Sequence, residues 1–215
     1  MTREVRVPTP YGEGRLVVDT AKDPRATLLV GHGAGNGIDT ADLLALARTL
    51  PQRGVTVVRF EQPWKVAGRK VATPPATLDV GLHAAVTAWG ATPPFIVGGR
   101  SAGARSAARC AAALGAAGCL ALAFPLHPPG RPDRSRLPEL AGAGVPTLVV
   151  QGERDPMGRP EEFPAGLDDV ELLVVPTADH GLKVPARAAI SAADVQSLIT
   201  DGVWSWIRRV ALGNQ

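Results

Sequence analysis

Short, nearly uninterrupted apolar runs separated by helical patterns constrain this chain more than any other feature. The runs fall at residues 26–30, 55–60, 95–98, 120–124, 147–151 and 171–175, and most carry hardly a polar side chain. A strand wetted on one face alternates apolar and polar residues, whereas a strand covered on both faces reads as a continuous run. Helical patterns lie between several of them, at 41–50, 78–89 and 102–114, with a last one at 191–210. The first follows Asp39 and Thr40, candidate N-caps, and the third stops at Gly115. The last aligns Val195, Leu198, Ile199, Val203, Trp206 and Ile207 on one stripe. This alternation predicts an α/β fold of about eight mostly parallel strands with helices on both faces. Two earlier runs, 4–7 and 15–18, flank a Pro/Gly turn at 8–14 and predict an antiparallel hairpin at one edge.

No repeat, linker or charge block divides the 215 residues, so a single domain over 1–215 is expected. Aromatic residues are only 4% of the chain, which leaves Ala, Val and Leu to build the core. Basic residues number 23 against 20 acidic, a net charge of +3, and they are scattered singly. The densest groups, Arg131 with Arg134 and Arg136, and Arg208 with Arg209, have no interleaved aromatics, so no nucleic-acid partner is expected. Cys110 and Cys119 lack metal spacing and sit in Ala-rich stretches, where a thiol behaves as a small hydrophobe. The N-terminus has no apolar leader, and the least polar stretch, 107–126, is broken by Arg109 and two glycines. The expectation is a cytoplasmic protein with no membrane span.

The strongest chemical signal is Gly99-Arg100-Ser101-Ala102-Gly103, placed between an apolar strand and an Ala-rich helix. In that context G-x-S-x-G is a sharp turn that exposes a strained serine above a sheet. Side chains at the two flanking positions would collide, so both must be Gly. The helix start behind Ser101 also favours developing negative charge. A serine hydroxyl is a weak nucleophile until a base takes its proton, and the base needs an orienting acid. Asp155 lies just after the run at 147–151, and His180 just after the run at 171–175. All three therefore sit at C-terminal strand ends, where α/β sheets place their sites. Glu153 is a rival acid, but Pro156 fixes the loop at Asp155. Asp179 neighbours His180 and points away from it in extended backbone. Asp168 and Asp169 read as turn residues before a strand, and His83 as a surface or packing residue of a helix.

A second Gly-rich loop, Gly31-His-Gly-Ala-Gly-Asn-Gly37, follows the run at 26–30. Such a loop supplies one backbone N–H to an oxyanion hole, and the residue after the nucleophile supplies the other. Ala34 and Ala102 are the expected donors, with His32 bracing the loop. The same glycines suggest a dinucleotide site, and Glu61 stands where a ribose-binding acid would. The third glycine of that fingerprint is missing, however, and an oxidoreductase leaves Ser101, Asp155 and His180 unexplained. Asn36, Trp64, Arg100 and His127 are the expected substrate-binding residues, His127 and Trp64 having loop-bracing roles as alternatives. Lys65, Arg69 and Lys70 beside Trp64 offer attraction for an anionic substrate. Only about 20 residues separate the runs at 120–124 and 147–151, too few for a cap domain.

These residues resemble the α/β-hydrolase superfamily over about residues 26–210. More narrowly, the chain is similar to the group containing the testis-expressed and chromatin-complex α/β-hydrolase-like proteins. The shared stretches are 31–37, 98–105, Phe124-Pro-Leu-His-Pro-Pro129, Gln151-Gly-Glu-Arg-Asp-Pro156 and Asp179-His180. Dienelactone-hydrolase-like enzymes are a more distant likeness of similar size. Ala102 departs from the bulkier residue, often Met, that follows the group's nucleophile, and Gly181-Leu182-Lys183 replaces Ser-Phe-Lys. The resemblance implies an α/β-hydrolase fold and narrows the fold more than the reaction; the Ser101, His180 and Asp155 pattern predicts a serine hydrolase cleaving a carboxylic ester or thioester, with a small-molecule substrate. No metal or organic cofactor is expected. A non-catalytic binding or scaffold protein on the same fold is the alternative.

Overall fold

The computed structural model describes residues 2–92 and 94–213. Its strands are β1 (Thr2–Thr9), β2 (Gly12–Asp19), β3 (Ala26–Gly31), β4 (Val55–Glu61), β5 (Phe95–Arg100), β6 (Gly118–Leu122), β7 (Thr147–Gly152) and β8 (Val170–Val175). They form one eight-stranded sheet in the order β1-β2-β4-β3-β5-β6-β7-β8. β1 and β2 make the expected antiparallel hairpin at one edge, and β2 runs antiparallel to β4. Every other pairing is parallel. Both hairpin strands are longer than the runs that announced them, because ladder hydrogen bonds continue through polar residues where one face is solvated.

The helices are α1 (Ala41–Thr49), α2 (Pro63–Val66), α3 (Pro75–Trp89), α4 (Ala102–Cys110), α5 (Leu137–Ala141) and α6 (Ala192–Ile207). Strand side chains alternate between two layers, as the period of two requires. Leu29, Val58, Val97, Ala121 and Val149 face α3, α4 and α5. Leu28, Val57, Ile96, Leu120 and Val150 face α1 and α6. Cys110 and Cys119 belong to the first layer, where burial pushes their thiols up to about 11 and about 12. Among the described residues no helix is long and apolar enough to cross a membrane.

Three local differences from the sequence pattern have simple causes. α3 begins at Pro75 rather than at 78, since proline's fixed φ suits the first helical turn. α2 and α5 escaped notice because four or five residues are too few to display a helical period. The run at 171–175 forms β8, an outer strand that leaves Leu172 and Val174 exposed rather than covered on both faces.

What matters for function is the centre of the sheet. β3 lies between β4 and β5, so the chain leaves β3 toward one side and returns to β5 on the other. Loops at this reversal diverge and open a crevice at the C-terminal strand ends.

Candidate active site

Ser101 sits at the junction of β5 and α4 with φ 52° and ψ −111°, a left-handed backbone that a non-glycine residue adopts only under constraint. The constraint is visible. The Ser101 N–H donates to the Leu122 carbonyl at 2.9 Å, and its own carbonyl accepts from the Arg105 N–H at 3.1 Å. A Cβ added at Gly99 would stand 2.4 Å from the Gly103 carbonyl carbon, and one at Gly103 would stand 2.8 Å from the His32 carbonyl oxygen. Both glycines are therefore demanded by the close approach of strand, helix and the loop after β3.

His180 reaches this serine from the loop after β8. Its Nε2 lies 2.9 Å from Ser101 Oγ, and its Nδ1 lies 2.8 Å from Asp155 Oδ2. A carboxylate only accepts, so Nδ1 carries the proton and Nε2 presents its lone pair to the serine hydroxyl. Asp155 is fully buried, and both its oxygens are engaged. Oδ1 accepts from the Met157 N–H at 2.8 Å, and Oδ2 accepts from Gln151 Nε2 at 2.9 Å besides His180. The rival acids are occupied elsewhere. Glu153 accepts the Thr177 N–H, Asp179 accepts the Gly181 and Lys183 N–H groups, and Asp169 turns the chain ahead of β8 at φ 59°. His83 is an exposed residue of α3.

The loop after β3 packs against the serine so closely that a Cβ on Gly33 would lie 3.3 Å from Ser101 Cβ. The Ala34 N–H in this loop makes no hydrogen bond among the described residues. Ala102 is the first residue of α4, whose N–H has no intrahelical acceptor. His32 braces the loop: its Nδ1–H donates to the Gly33 carbonyl at 2.8 Å, and its Nε2 accepts the Gln62 N–H at 3.1 Å. Burial holds this imidazole below its ordinary pKa, consistent with that neutral arrangement. Glu61, the position of a ribose-binding acid, is instead taken up by Arg15 at 2.7 Å.

A cavity of about 630 Å³ is lined by Asn36, Lys65, Arg100 and Lys183 with the start of α1, and by Asp179 and Gly181 on either side of His180. A smaller apolar cleft of about 270 Å³ continues from it between α1, the turn at 181–184 and α6. Asn36 is exposed on the cavity wall. Arg100 borders the cavity, but it is buried and its guanidinium is committed. It donates to the His180 carbonyl at 2.9 Å and lies 3.1 Å from Asp42 in α1. Trp64 and His127 correct the expectation of substrate contact, since neither lines the cavity. Trp64 is buried against His32, with ring centroids 5.4 Å apart. His127 bonds the Pro128 carbonyl at 2.9 Å and Glu162 at 2.8 Å, which braces a turn.

Two supports of the site escaped the sequence reading. Gln151, next to last in β7, is fully buried, and its amide donates toward Phe124, Asp155 and Gly158, which ties the loop after β6 to the loop after β7. A polar residue closing an apolar run was the available signal. Asp42 gave none, because an acid in a helix's first turn is ordinary on electrostatic grounds alone. Among the described residues no group of three His, Cys, Asp or Glu side chains is placed to hold a metal ion.

A mostly parallel sheet with a strained serine after a central strand defines the α/β-hydrolase class of protein. Residues 24–208 match the family model described as "Alpha/beta hydrolase domain", and the chain belongs to that family. Comparison with curated proteins returns no sequence match. Among solved structures, an alpha-beta serine hydrolase homologue from Coxiella burnetii is similar at 19% identity and TM-score 0.72, over 94% of this chain and 98% of that one. A lidless α/β serine hydrolase from Xanthomonas campestris shares 22% identity at TM-score 0.70, over 95% and 94% of the two chains. Dienelactone hydrolase from Anabaena variabilis shares 16% identity at TM-score 0.72, over 98% of each.

Proposed function

We propose that the protein is a serine hydrolase that cleaves a carboxylic ester or thioester through an acyl-enzyme on Ser101. The observation that carries this reading is the unbroken series Ser101–His180–Asp155, at 2.9 and 2.8 Å, beneath a strained serine. Ser101 Oγ bonds to the substrate carbonyl carbon while its proton passes to His180 Nε2. Asp155 keeps the imidazole in register and stabilises the imidazolium. The carbonyl oxygen, now negative, is met by the backbone N–H groups of Ala34 and Ala102, each worth on the order of 3 kcal/mol. As the tetrahedral species collapses, Nε2–H protonates the leaving oxygen or sulfur. Water then repeats the sequence on the acyl-enzyme and releases the acid.

The serine hydrolases among the solved neighbours agree with this chemistry, and the narrower likeness rests on the stretches shared with the testis-expressed and chromatin-complex group. The sheet running from Thr2 to Val175, closed by α6, supports one catalytic domain. Among the described residues no block above the serine is large enough to form a cap, which supports an open site acting on a small ester. The test is turnover of 4-nitrophenyl acetate and butyrate, with labelling by a fluorophosphonate. Wild type is expected to turn over the esters and to label, and Ser101→Ala to lose both. Labelling that survives in Ser101→Ala would assign the nucleophile elsewhere. Neither turnover nor labelling in wild type would favour a binding protein on this fold.

A further inference from the structure

The cavity formed by the chain neighbours of Ser101 and His180 has six charged side chains in its lining, and they are not matched to one another. Its carboxylates are Asp39, Glu61 and Asp179; its cations are Lys65, Arg100 and Lys183. Each carboxylate is compensated by groups other than the lysines. Glu61 receives two hydrogen bonds from Arg15, at 2.7 and 3.1 Å. Asp39 accepts from Arg59 at 2.7 Å, and Asp179 accepts two backbone N–H groups at 2.7 and 3.0 Å. Arg100 is balanced by Asp42. The lysines differ: among the described residues neither Lys65 nor Lys183 forms an ion pair with a carboxylate.

Both ammonium groups are carried on placed backbone. Lys65 belongs to α2, its stem passes Gly37 so that a Cβ there would meet Lys65 Cε at 3.4 Å, and its Nζ stands 5.9 Å from the Trp64 ring centroid. That distance is within cation–π range, which gives the buried Trp64 a part in aiming Lys65. Lys183 closes a turn with Asp179, its N–H and carbonyl each bonded to that residue at 3.0 Å, three residues beyond His180. The start of α1 between them has no side-chain cap, so its positive end adds to the same field. Cations converging on a concave site concentrate their potential on whatever enters it.

Resting on the serine-hydrolase reading, we propose that the substrate is an ester bearing a carboxylate, and that Lys65 and Lys183 bind that carboxylate while Ser101 attacks the ester carbonyl. Lys65 and Lys183 are then specificity-determining residues, supplied by α2 and by the turn after β8.

The experiment compares kcat/KM for two matched pairs, each corrected for its uncatalysed hydroxide rate. Mono-4-nitrophenyl glutarate against 4-nitrophenyl butyrate places the charge on the acyl side. 4-Acetoxybenzoate against its methyl ester places it on the leaving group. At low salt at least one anionic member is expected to be favoured about tenfold, the worth of a charge-assisted contact. That preference should fall about tenfold in Lys65→Met and in Lys183→Met, survive in Lys65→Arg and Lys183→Arg, and weaken with added salt. Thermal melting confirms that each variant is folded. Neutral esters turned over with no anionic preference in either pair, or a preference unmoved in the double Met variant, would overturn the inference and leave the hydrolase reading standing. Failure of every ester together with absence of fluorophosphonate labelling would remove both.

Discussion

Two histidines of this molecule sit 2.8 Å from a carboxylate, and only one of them faces a hydroxyl with its other nitrogen. His180 has Asp155 on Nδ1 and the Ser101 hydroxyl on Nε2. His127 has the Pro128 carbonyl on Nδ1 and Glu162 on Nε2. A hydroxyl can donate, so His180 satisfies both nitrogens while neutral and keeps a lone pair for the serine proton. A carbonyl and a carboxylate both only accept, so His127 satisfies both partners only as the imidazolium. The hydrogen bond to Pro128 accordingly holds its pKa above the ordinary value, aided by Glu162 against the opposing effect of burial. His32 is the third case, neutral because a backbone N–H points at its Nε2. The partner of the second nitrogen, more than the nearby carboxylate, decides what a histidine can do.

The largest expected effect separates the two directly. His180→Gln should lower 4-nitrophenyl butyrate turnover by about four to six orders of magnitude, as loss of a triad base does. His127→Gln should leave it within about threefold, since that ring touches neither serine nor cavity and a substitution away from the chemistry usually costs little. Comparable losses in both would break the distinction. Next, Asp155→Asn should cost about 10⁴-fold in kcat, because an amide can donate to Nδ1 and so favours the wrong tautomer. A loss under tenfold would mean that the carboxylate does not set the imidazole's protonation.

A third test concerns how His180 is held in place. Its loop is anchored from below by Arg100 and Asp42, with side chains 7% and 3% exposed, whereas His127 is held by its own turn. Arg100→Gln strands a buried carboxylate and should destabilise the fold by about 3–5 kcal/mol in urea titration. Asp42→Asn combined with Arg100→Gln should recover part of that loss, because no charge is then left unpaired. Recovery of nothing would show the pair to be independent.

The smallest effect is a pH signature. With its pKa raised, His127 contributes stability that is fully present below the ordinary histidine value and is lost as pH rises through the raised one. Glu162 is held below its ordinary value by the Arg159 N–H, against burial and with the help of His127, so its share is lost as pH falls through that lowered value. The stability difference between wild type and His127→Gln should therefore peak in mildly acid solution and shrink toward alkaline pH. Glu162 is 36% exposed and solvent screens the pair, which limits the peak to about 1 kcal/mol. A difference that grows with pH would contradict the charged form.

Legibility in the sequence followed the range of the interactions involved. β3 through β7 announced themselves because burial on both faces demands apolar side chains at most positions. β8 misled for the same reason: its run is as apolar as the others, yet sheet order puts it at an edge. Ser101 was legible because the tight turn dictates glycines on both sides, a purely local requirement. Asp155 and His180 were legible only as residues following successive strands. Trp64 and His127 also follow strands, and nothing local marked them as buried braces instead of cavity walls.

The sequence by itself determined the α/β alternation, the hairpin edge, the strained serine turn and the loops that carry Asp155 and His180. These are consequences of backbone sterics and apolar periodicity, which act between near neighbours along the chain. Tertiary structure alone decided that Arg100 would bind Asp42 and the His180 carbonyl, that Gln151 would tie two loops together, and that Lys65 and Lys183 would line one cavity. Each depends on residues brought together from distant segments, where a charge or amide takes its meaning from the partner that folding supplies.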